Sequence, residues 1–590
     1  MPSRRQFLIA GATATALAAT AVADPPATAG TRRPNIVLIL ADDLGYGELG
    51  AYGQRLMHTP ALDRLAEEGL RFTDAYAGAP VCAPSRCSLL TGLHGGHARV
   101  RQNPFSGPQG ALTADDTSFA EPLRAVGYRT ALYGKWGFGP ETAHQPSHPN
   151  QRGFDDFYGY IDHDHAHDYY PEYLWHNETK EALPGNADGG KGTFAPDAFL
   201  ARCVDFIKNT EGPFLLYHAP NLPHAPSDVP DTSEYDAEPW SAADKGHAAQ
   251  VTLLDTHVSA VMKALRDSGK AADTVVLVAG DNGPHEEGGV NPDVFRASGP
   301  LRGYKRNLYD GGIRVPFLAW SPGRVLPGTT DRPTHFADLL PTLADLAGAP
   351  RPRDVDGLSL AKLLTTGTGD RQHDHLYWYR NDPWSTPRAA REDGGRILTL
   401  AEATRGDHWK AVRFAPDRDR TAPDDLWHVE LYDLDADPGE RTDLAAAHPD
   451  VAARLVAVMR DAWVEDYRRV PFGVRLTAPD HVEPGRSYEI TATVANGSAV
   501  SWRDTRLRLT GPRGWRLRRT SGPARADLPS GGVLRQSWRV AVPAGAAVED
   551  GQLKARSSGN WGGRTIRFTA EHRFVPSLAA GTAIGAPART

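Results

Sequence analysis

Several short, unbroken apolar runs end abruptly in polar residues, and this narrows the folds open to the chain more than any other feature. Residues 34–41 read Pro-Asn-Ile-Val-Leu-Ile-Leu-Ala and pass directly into Asp42-Asp43. Residues 128–133 lead to Lys135, residues 214–218 to the stretch from His218 to His224, and residues 274–279 to Asp281-Asn282. An apolar run without polar alternation suits a strand covered on both faces, as in a parallel sheet. Helical patterns lie between the runs, over residues 60–68, 117–125, 197–208, 247–267 and 335–346, with a further strand at 314–320. Thr59 is placed to cap the first of these helices, with Pro60 at its first position and Gly69 as its stop. The alternation makes the bulk of the chain α/β, a largely parallel central sheet flanked by helices. Ligands of such folds bind beyond the carboxyl ends of the strands, where each of these polar sets falls.

At 590 residues the chain is too long for one ordinary core. After about residue 472 its texture changes. Short alternating segments at 488–494, 506–509 and 535–542 are separated by Gly, Pro and Asp, which reads as an Ig-like β-sandwich over residues 472–575. Within it Arg506-Leu507-Arg508-Leu509 and Trp515-Arg516-Leu517-Arg518 alternate, so leucines face in and arginines out. Residues 576–590 are rich in Ala, Gly and Pro and are expected to be disordered. At the other end, Arg4-Arg5 precede a mild apolar run and small-residue sites near residues 21–29, the layout of a signal peptide over residues 1–30. Its Ser-Arg-Arg-x-Phe-Leu start resembles a twin-arginine signal, which implies the twin-arginine export machinery as a partner and an exported product. Residues 31–471 remain as the main α/β domain, which holds all of the strand-end polar sets. A net charge of −7 argues against a nucleic-acid binder, and no stable membrane span is expected. Three cysteines are too few for a disulfide framework, although Cys87 and Cys203 are left as a possible pair.

Adjacent carboxylates such as Asp42-Asp43 repel each other unless a cation holds them. With Asp281 and Asn282 they form an all-oxygen set suited to a hard ion, Ca²⁺ or Mg²⁺. Between them in sequence stands Cys82-Ala-Pro-Ser-Arg86-Cys-Ser-Leu-Leu-Thr-Gly92. Cys82 opens a helix, whose N-terminus favours an anionic oxygen, and Arg86 follows within about one turn. This C-x-P-S-R-x-x-L-x-T-G pattern resembles the signature of type I sulfatases, members of the alkaline phosphatase superfamily. Further matches are Gly134-Lys135-Trp136, Pro223-His224-Ala225-Pro226, Lys305 with Asp310-Gly-Gly-Ile-Arg314-Val-Pro316, and Leu431-Tyr-Asp-Leu434 with Asp437-Pro438. The resemblance spans residues 32–470 and is sharp at these motifs.

It implies a sulfuric ester hydrolase in which a formylglycine-generating enzyme oxidises Cys82 to an aldehyde, whose hydrate is the nucleophile. It further implies one Ca²⁺ held by Asp42, Asp43, Asp281, Asn282 and the modified Cys82. Arg86 would bond the diol, Lys135 and Lys305 the sulfate, and His224 would protonate the leaving oxygen, a role suited to a side chain titrating near neutrality. Asp281 would accept the proton of the diol. Two departures stand out: Asp310 replaces a glutamate, and Gly137 replaces the histidine that serves as the family's second base. The cluster His163-Asp-His165-Ala-His167 offers a replacement, for which His167 is the choice. The aromatic stretch from Tyr169 to Trp175 suggests contact with sugar rings, although core packing explains aromatics equally well. The substrate expected is a sulfated carbohydrate or aryl sulfate. The alternatives are a phosphomonoester or phosphonate hydrolase of the same superfamily, and a catalytically silent sulfated-glycan-binding protein.

Overall fold

The computed structural model describes residues 33–574, apart from 105–109, 353–354, 370, 383, 417, 419, 421, 464–472, 480–481, 497–500, 530–531, 547–551 and 562–563. The expected leader at 1–30 and tail at 576–590 lie outside the described residues. Ten strands form the main sheet, in the order Gly328–Thr330, Leu70–Phe72, Phe317–Trp320, Thr274–Gly280, Asn35–Ala41, Phe214–Ala219, Arg129–Lys135, Asp156–Tyr160, Tyr173–His176 and Thr179–Ala182. The five strands from Thr274–Gly280 to Asp156–Tyr160 are parallel. Outside these five, Phe317–Trp320 is antiparallel to both its neighbours, Gly328–Thr330 pairs parallel to Leu70–Phe72 at that edge, and the last two strands are added as hairpins at the other.

The central strand shows why the apolar run carries no polar alternation. Ile36, Leu38 and Leu40 enter the core that also takes Leu90, Leu123 and Leu343, while Val37, Ile39 and Ala41 enter the core that takes Leu62, Phe199 and Leu254. Each buried Leu or Ile contributes about 1.5–3 kcal/mol. Cys87 and Cys203 fall into these opposite cores and are both free thiols. Layers about 10 Å from the sheet on either side exceed the roughly 7 Å Cα separation a disulfide can bridge.

Helix boundaries differ locally from the sequence pattern. The last long helix before the fourth strand-end motif starts early, at Ala242–Asp267, because Ser241 accepts a hydrogen bond from the Asp244 amide at 3.1 Å. Thr59 precedes Pro60–Glu68 but does not cap it; its hydroxyl accepts from the Gly50 amide at 2.9 Å and donates to Asp63 at 3.2 Å. Gly69 does end that helix, in an extended conformation (φ −125°) rather than a left-handed one. What demands glycine there is proximity: a Cβ would stand 2.3 Å from the Ala319 carbonyl oxygen. The helix expected from residue 117 begins at Ala120.

A second, antiparallel sheet joins Leu376–Arg380, Ala401–Gly406, Trp409–Phe414 and His428–Asp433. It sends Lys410 to Asp310 (2.7 Å) and Glu440 (2.8 Å), all three side chains fully buried. Beyond it, two four-stranded antiparallel sheets form a sandwich. One is ordered Gly473–Thr477, Ser487–Ala495, Val533–Ala541, Arg516–Ser521, and the other Arg525–Leu528, Trp502–Thr510, Gln552–Trp561, Arg564–Arg573. Ile490, Leu507, Leu509, Trp538 and Leu553 share its core, while Arg506 and Arg508 are exposed.

Candidate active site

The parallel strands bring their polar ends together. Asp42 and Asp43 leave Asn35–Ala41, with Asp43 in the left-handed region at φ 69°. Asp281 and Asn282 leave the adjacent strand, and the Asp43 amide donates to Asp281 Oδ1 at 2.9 Å. Asn282 Nδ2 donates to Asp43 Oδ1 at 2.7 Å. Lys135, the last residue of its strand, donates to Asp42 Oδ2 at 2.7 Å, and Lys305 donates to Asp43 Oδ2 at 2.6 Å.

Cys82 is the first residue of the helix Cys82–Thr91, and its Sγ lies 3.7 Å from Asp43 Oδ1. The helix entry is fixed by Asn103, whose Oδ1 accepts from the Ala83 amide at 3.0 Å, and by Ser85, whose hydroxyl donates to the Asp281 carbonyl at 2.5 Å. One turn on, Arg86 grips Asp281 Oδ2 through Nε (2.9 Å) and Nη2 (2.8 Å) and stands 3.4 Å from Asp42 Oδ1. Cys82, Arg86, Lys135, Asp42, Asp43, Asp281 and Asn282 are completely buried.

Three carboxylates thus face three cations out of water. Burial opposes ionisation of Asp42, but Lys135 and Arg86 outweigh it and hold the carboxyl well below 3.8. Asp43 is likewise held low by Lys305 and His224 against burial. Asp281 is the exception: burial and the neighbouring Asp42 push it up to about 7, although Arg86 resists. Burial also pushes the Cys82 thiol well above 9.0. The donor chemistry fits a hard divalent cation. Asp42 Oδ1 and Asn282 Oδ1 are buried oxygens without a hydrogen-bond partner, and ligand atoms of Asp42, Asp43, Cys82 and His224 lie within 4.8 Å of one another. A cation among these oxygens would relieve the repulsion that raises Asp281.

His224 closes the set from the opposite side. Its Nδ1 donates to the Ala225 carbonyl at 2.6 Å, which leaves the Nε2 lone pair to accept from Lys305 Nζ at 3.0 Å. Burial and Lys305 lower this imidazole to about 4, so it is neutral at pH 7 with a bare Nε2. His167 stacks on it, rings 6° apart at 4.5 Å, with a buried Nε2 that has no hydrogen-bond partner. Burial and His224 hold His167 down to about 2. Gly137 adopts φ +88°, a conformation that residues with a Cβ rarely adopt, and the space a side chain would enter there is open, the nearest atom being Arg86 Cδ at 3.8 Å. His163, His167, His224 and Lys305 line one cleft of about 520 Å³, together with Arg306 and Trp384.

Sequence reasoning passed over several of these groups. Glu287 pairs with Lys305 (3.4 Å) and Arg306 (2.6 Å), and Arg306 lies under the ring of Trp384 at 4.1 Å. Arg306 adjoins the Lys305 motif and was therefore within reach of it; Glu287 opens a one-turn 3-10 helix and Trp384 lies in a loop, neither within a local sequence pattern. The aromatic stretch after His167 turns out to be scaffolding. Tyr169 donates to the Asn221 and His224 carbonyls at 2.5 and 2.6 Å, and Tyr173 and Trp175 both donate to Glu141. The exposed ring at the cleft mouth is Trp384 instead.

Comparison with known proteins identifies the family. The sulfatase family model matches residues 34–349, the model of the N-sulphoglucosamine sulphohydrolase C-terminal region matches 303–464, and that of the NPCBM-associated NEW3 domain of alpha-galactosidase matches 482–559. Human arylsulfatase A is 35% identical over 471 residues, 72% of this chain and 86% of that protein. Human N-acetylgalactosamine-6-sulfatase is 30% identical over 482 residues, 72% of this chain and 85% of that protein. The crystal structure of Ps i-CgsB in complex with k-i-k-neocarrahexaose superposes with a TM-score of 0.60 at 27% identity, covering 73% of this chain and 93% of that one. The chain belongs to the sulfatase family and is a sulfuric ester hydrolase.

Proposed function

We propose that the protein removes sulfate from a sulfated carbohydrate, with formylglycine derived from Cys82 as the nucleophile and one bound Ca²⁺. The observation that carries this is the seat of Cys82: a helix N-terminus, 3.7 Å from Asp43, inside a wholly buried set of three carboxylates and three cations. Asp42, Asp43, Asp281, Asn282 and the oxygen at position 82 would hold the ion. When bound, it supplies Lewis-acid polarisation of the sulfate and a template for it. The carbohydrate class is supported by the relative named for N-acetylgalactosamine-6-sulfate, by the neocarrahexaose complex, and by Trp384 at the cleft mouth.

The side chains then divide the proton work. Arg86, Lys135 and Lys305 hold positive charge where the sulfate oxygens gain negative charge, without reorganising during the reaction. Asp281 takes the proton of the attacking hydroxyl. His224, protonated at Nε2 once the anionic sulfate ester is bound, gives that proton to the leaving sugar oxygen, while Lys305, 3.0 Å from the same nitrogen, keeps its own. His167 takes the proton of the second hydroxyl as C=O re-forms and sulfate departs, the role left vacant by Gly137. We further propose residues 31–471 as the catalytic domain, residues 472–575 as an accessory one, and export by the twin-arginine route. Among the described residues no helix is long and apolar enough to cross a membrane.

The test is the mass of the tryptic peptide spanning residues 72–86 from protein made in its own host, together with turnover of a chromogenic aryl sulfate. An aldehyde at position 82 and loss of turnover in Cys82→Ala are expected. An unmodified thiol in an active preparation would overturn the mechanism, and faster turnover of the matched aryl phosphate would move the protein to the phosphomonoesterases.

A further inference from the structure

We propose that the outer face of the sandwich sheet built on Trp502–Thr510 binds the sulfated polysaccharide chain that the active site works on, an inference that rests on the carbohydrate reading above. Residues 472–575 hold 17 Lys and Arg against 8 Asp and Glu, a net charge of +9 in a chain whose total is −7. The remaining residues therefore carry −16. A polyanion is repelled by the field of the larger part and drawn to the sandwich.

On this sheet the charge is arranged in rows. The ladder sets Arg525, Arg506, Ser558 and Arg567 side by side, and Arg508, Arg556 and Thr569 in the next row. All five arginines are exposed, while Leu507, Leu509 and Ala555 of the same strands point into the core. Rows two residues apart lie about 7 Å from each other, and adjacent strands about 4.8 Å. Arg508 stands directly opposite Arg556, an arrangement that weakens a sheet unless an anion sits between the two. Asp504 pairs with Arg506 at 2.8 Å and Arg525 at 3.5 Å. Among the described residues no carboxylate pairs with Arg508, Arg556 or Arg567. Guanidinium forks match sulfate oxygens two at a time. The rows contain no aromatic side chain on which a nucleic-acid base would stack, so the geometry favours a sulfated sugar chain over single-stranded nucleic acid.

The test uses the full chain and dextran sulfate, with neutral dextran and double-stranded DNA as comparisons, titrated at low and high salt. Wild type should bind dextran sulfate and not dextran, with affinity that falls steeply as salt rises. Arg508→Ser with Arg556→Ser should weaken binding about tenfold. Arg518→Ser with Arg539→Ser removes the same charge from an opposed pair on the other sheet and should weaken it less than about threefold. Equal loss in the two double variants, no preference for dextran sulfate over dextran, or tighter binding to DNA would each overturn the proposal. Aryl-sulfate turnover, measured on the same samples, reads the catalytic proposal separately: patch-dependent binding without turnover would sink that reading and leave this one standing.

Discussion

Replacing Lys410 by methionine tests how the second sheet holds the active-site loop. Lys410 Nζ lies 2.7 Å from Asp310 and 2.8 Å from Glu440, and none of the three side chains meets solvent. Glu440 also accepts from the Asp310 amide at 2.6 Å, so the triad pins the helix Asp310–Ile313 that follows Lys305. Asp310 would keep Tyr76 (2.9 Å) and Arg314 (3.3 Å), whereas Glu440 would lose its cation. Breaking a buried pair from one side costs about 3–5 kcal/mol. Burial already pushes Glu440 from 4.5 up to about 7, with Lys410 opposing and Asp310 adding to the rise. An acid whose folded pKa is raised binds its proton more tightly in the native state; its stabilising contribution is full below its unfolded value and is lost as pH climbs through the folded value. Without Lys410 the folded value rises further, which adds up to about 1.4 kcal/mol to the cost at about pH 8, one unit above the present value, and almost nothing at about pH 5. Thermal midpoints at matched scan rates should therefore fall by about 6–10 °C near pH 8, at roughly 2 °C per kcal/mol, and by clearly less near pH 5. Equal falls at the two pH values, or a fall under about 2 °C near pH 8, would refute the reasoning.

Two further outcomes follow from the site. His167→Asn should lower kcat on an aryl sulfate about 100-fold while leaving one rapid turnover per enzyme molecule, seen as a burst of phenol; an unchanged kcat would assign the second base elsewhere. Chelation followed by calorimetric titration should show one Ca²⁺ per chain, lost in Asn282→Ala, and saturating Ca²⁺ at about 100 Kd should stabilise the wild type by about 2.7 kcal/mol; no heat of binding to wild type would remove the ion from the mechanism.

The strand-end residues were legible because a parallel sheet sends every strand in the same direction. Once Asn35–Ala41 and Thr274–Gly280 are parallel neighbours, Asp42-Asp43 and Asp281-Asn282 have to emerge together. Glu287, Arg306 and Trp384 were not legible as a group. They meet across loops whose course depends on contacts with Lys305 and His224 rather than on any period in the sequence.

The sequence by itself determined the α/β class, the burial of the central strand on both faces and the sandwich, because the apolar period is a local property of the chain, and resemblance to the sulfatase signature named the residues gathered at Cys82. Tertiary structure alone decided the rest. It turned the Tyr169–Trp175 aromatics into supports, separated Cys87 from Cys203 across the sheet, and stacked His167 on His224. It also set the neutral state of His224, since the proton on an imidazole is placed by the carbonyl and ammonium that touch it, and those arrive from Ala225 and Lys305 only when the fold is complete.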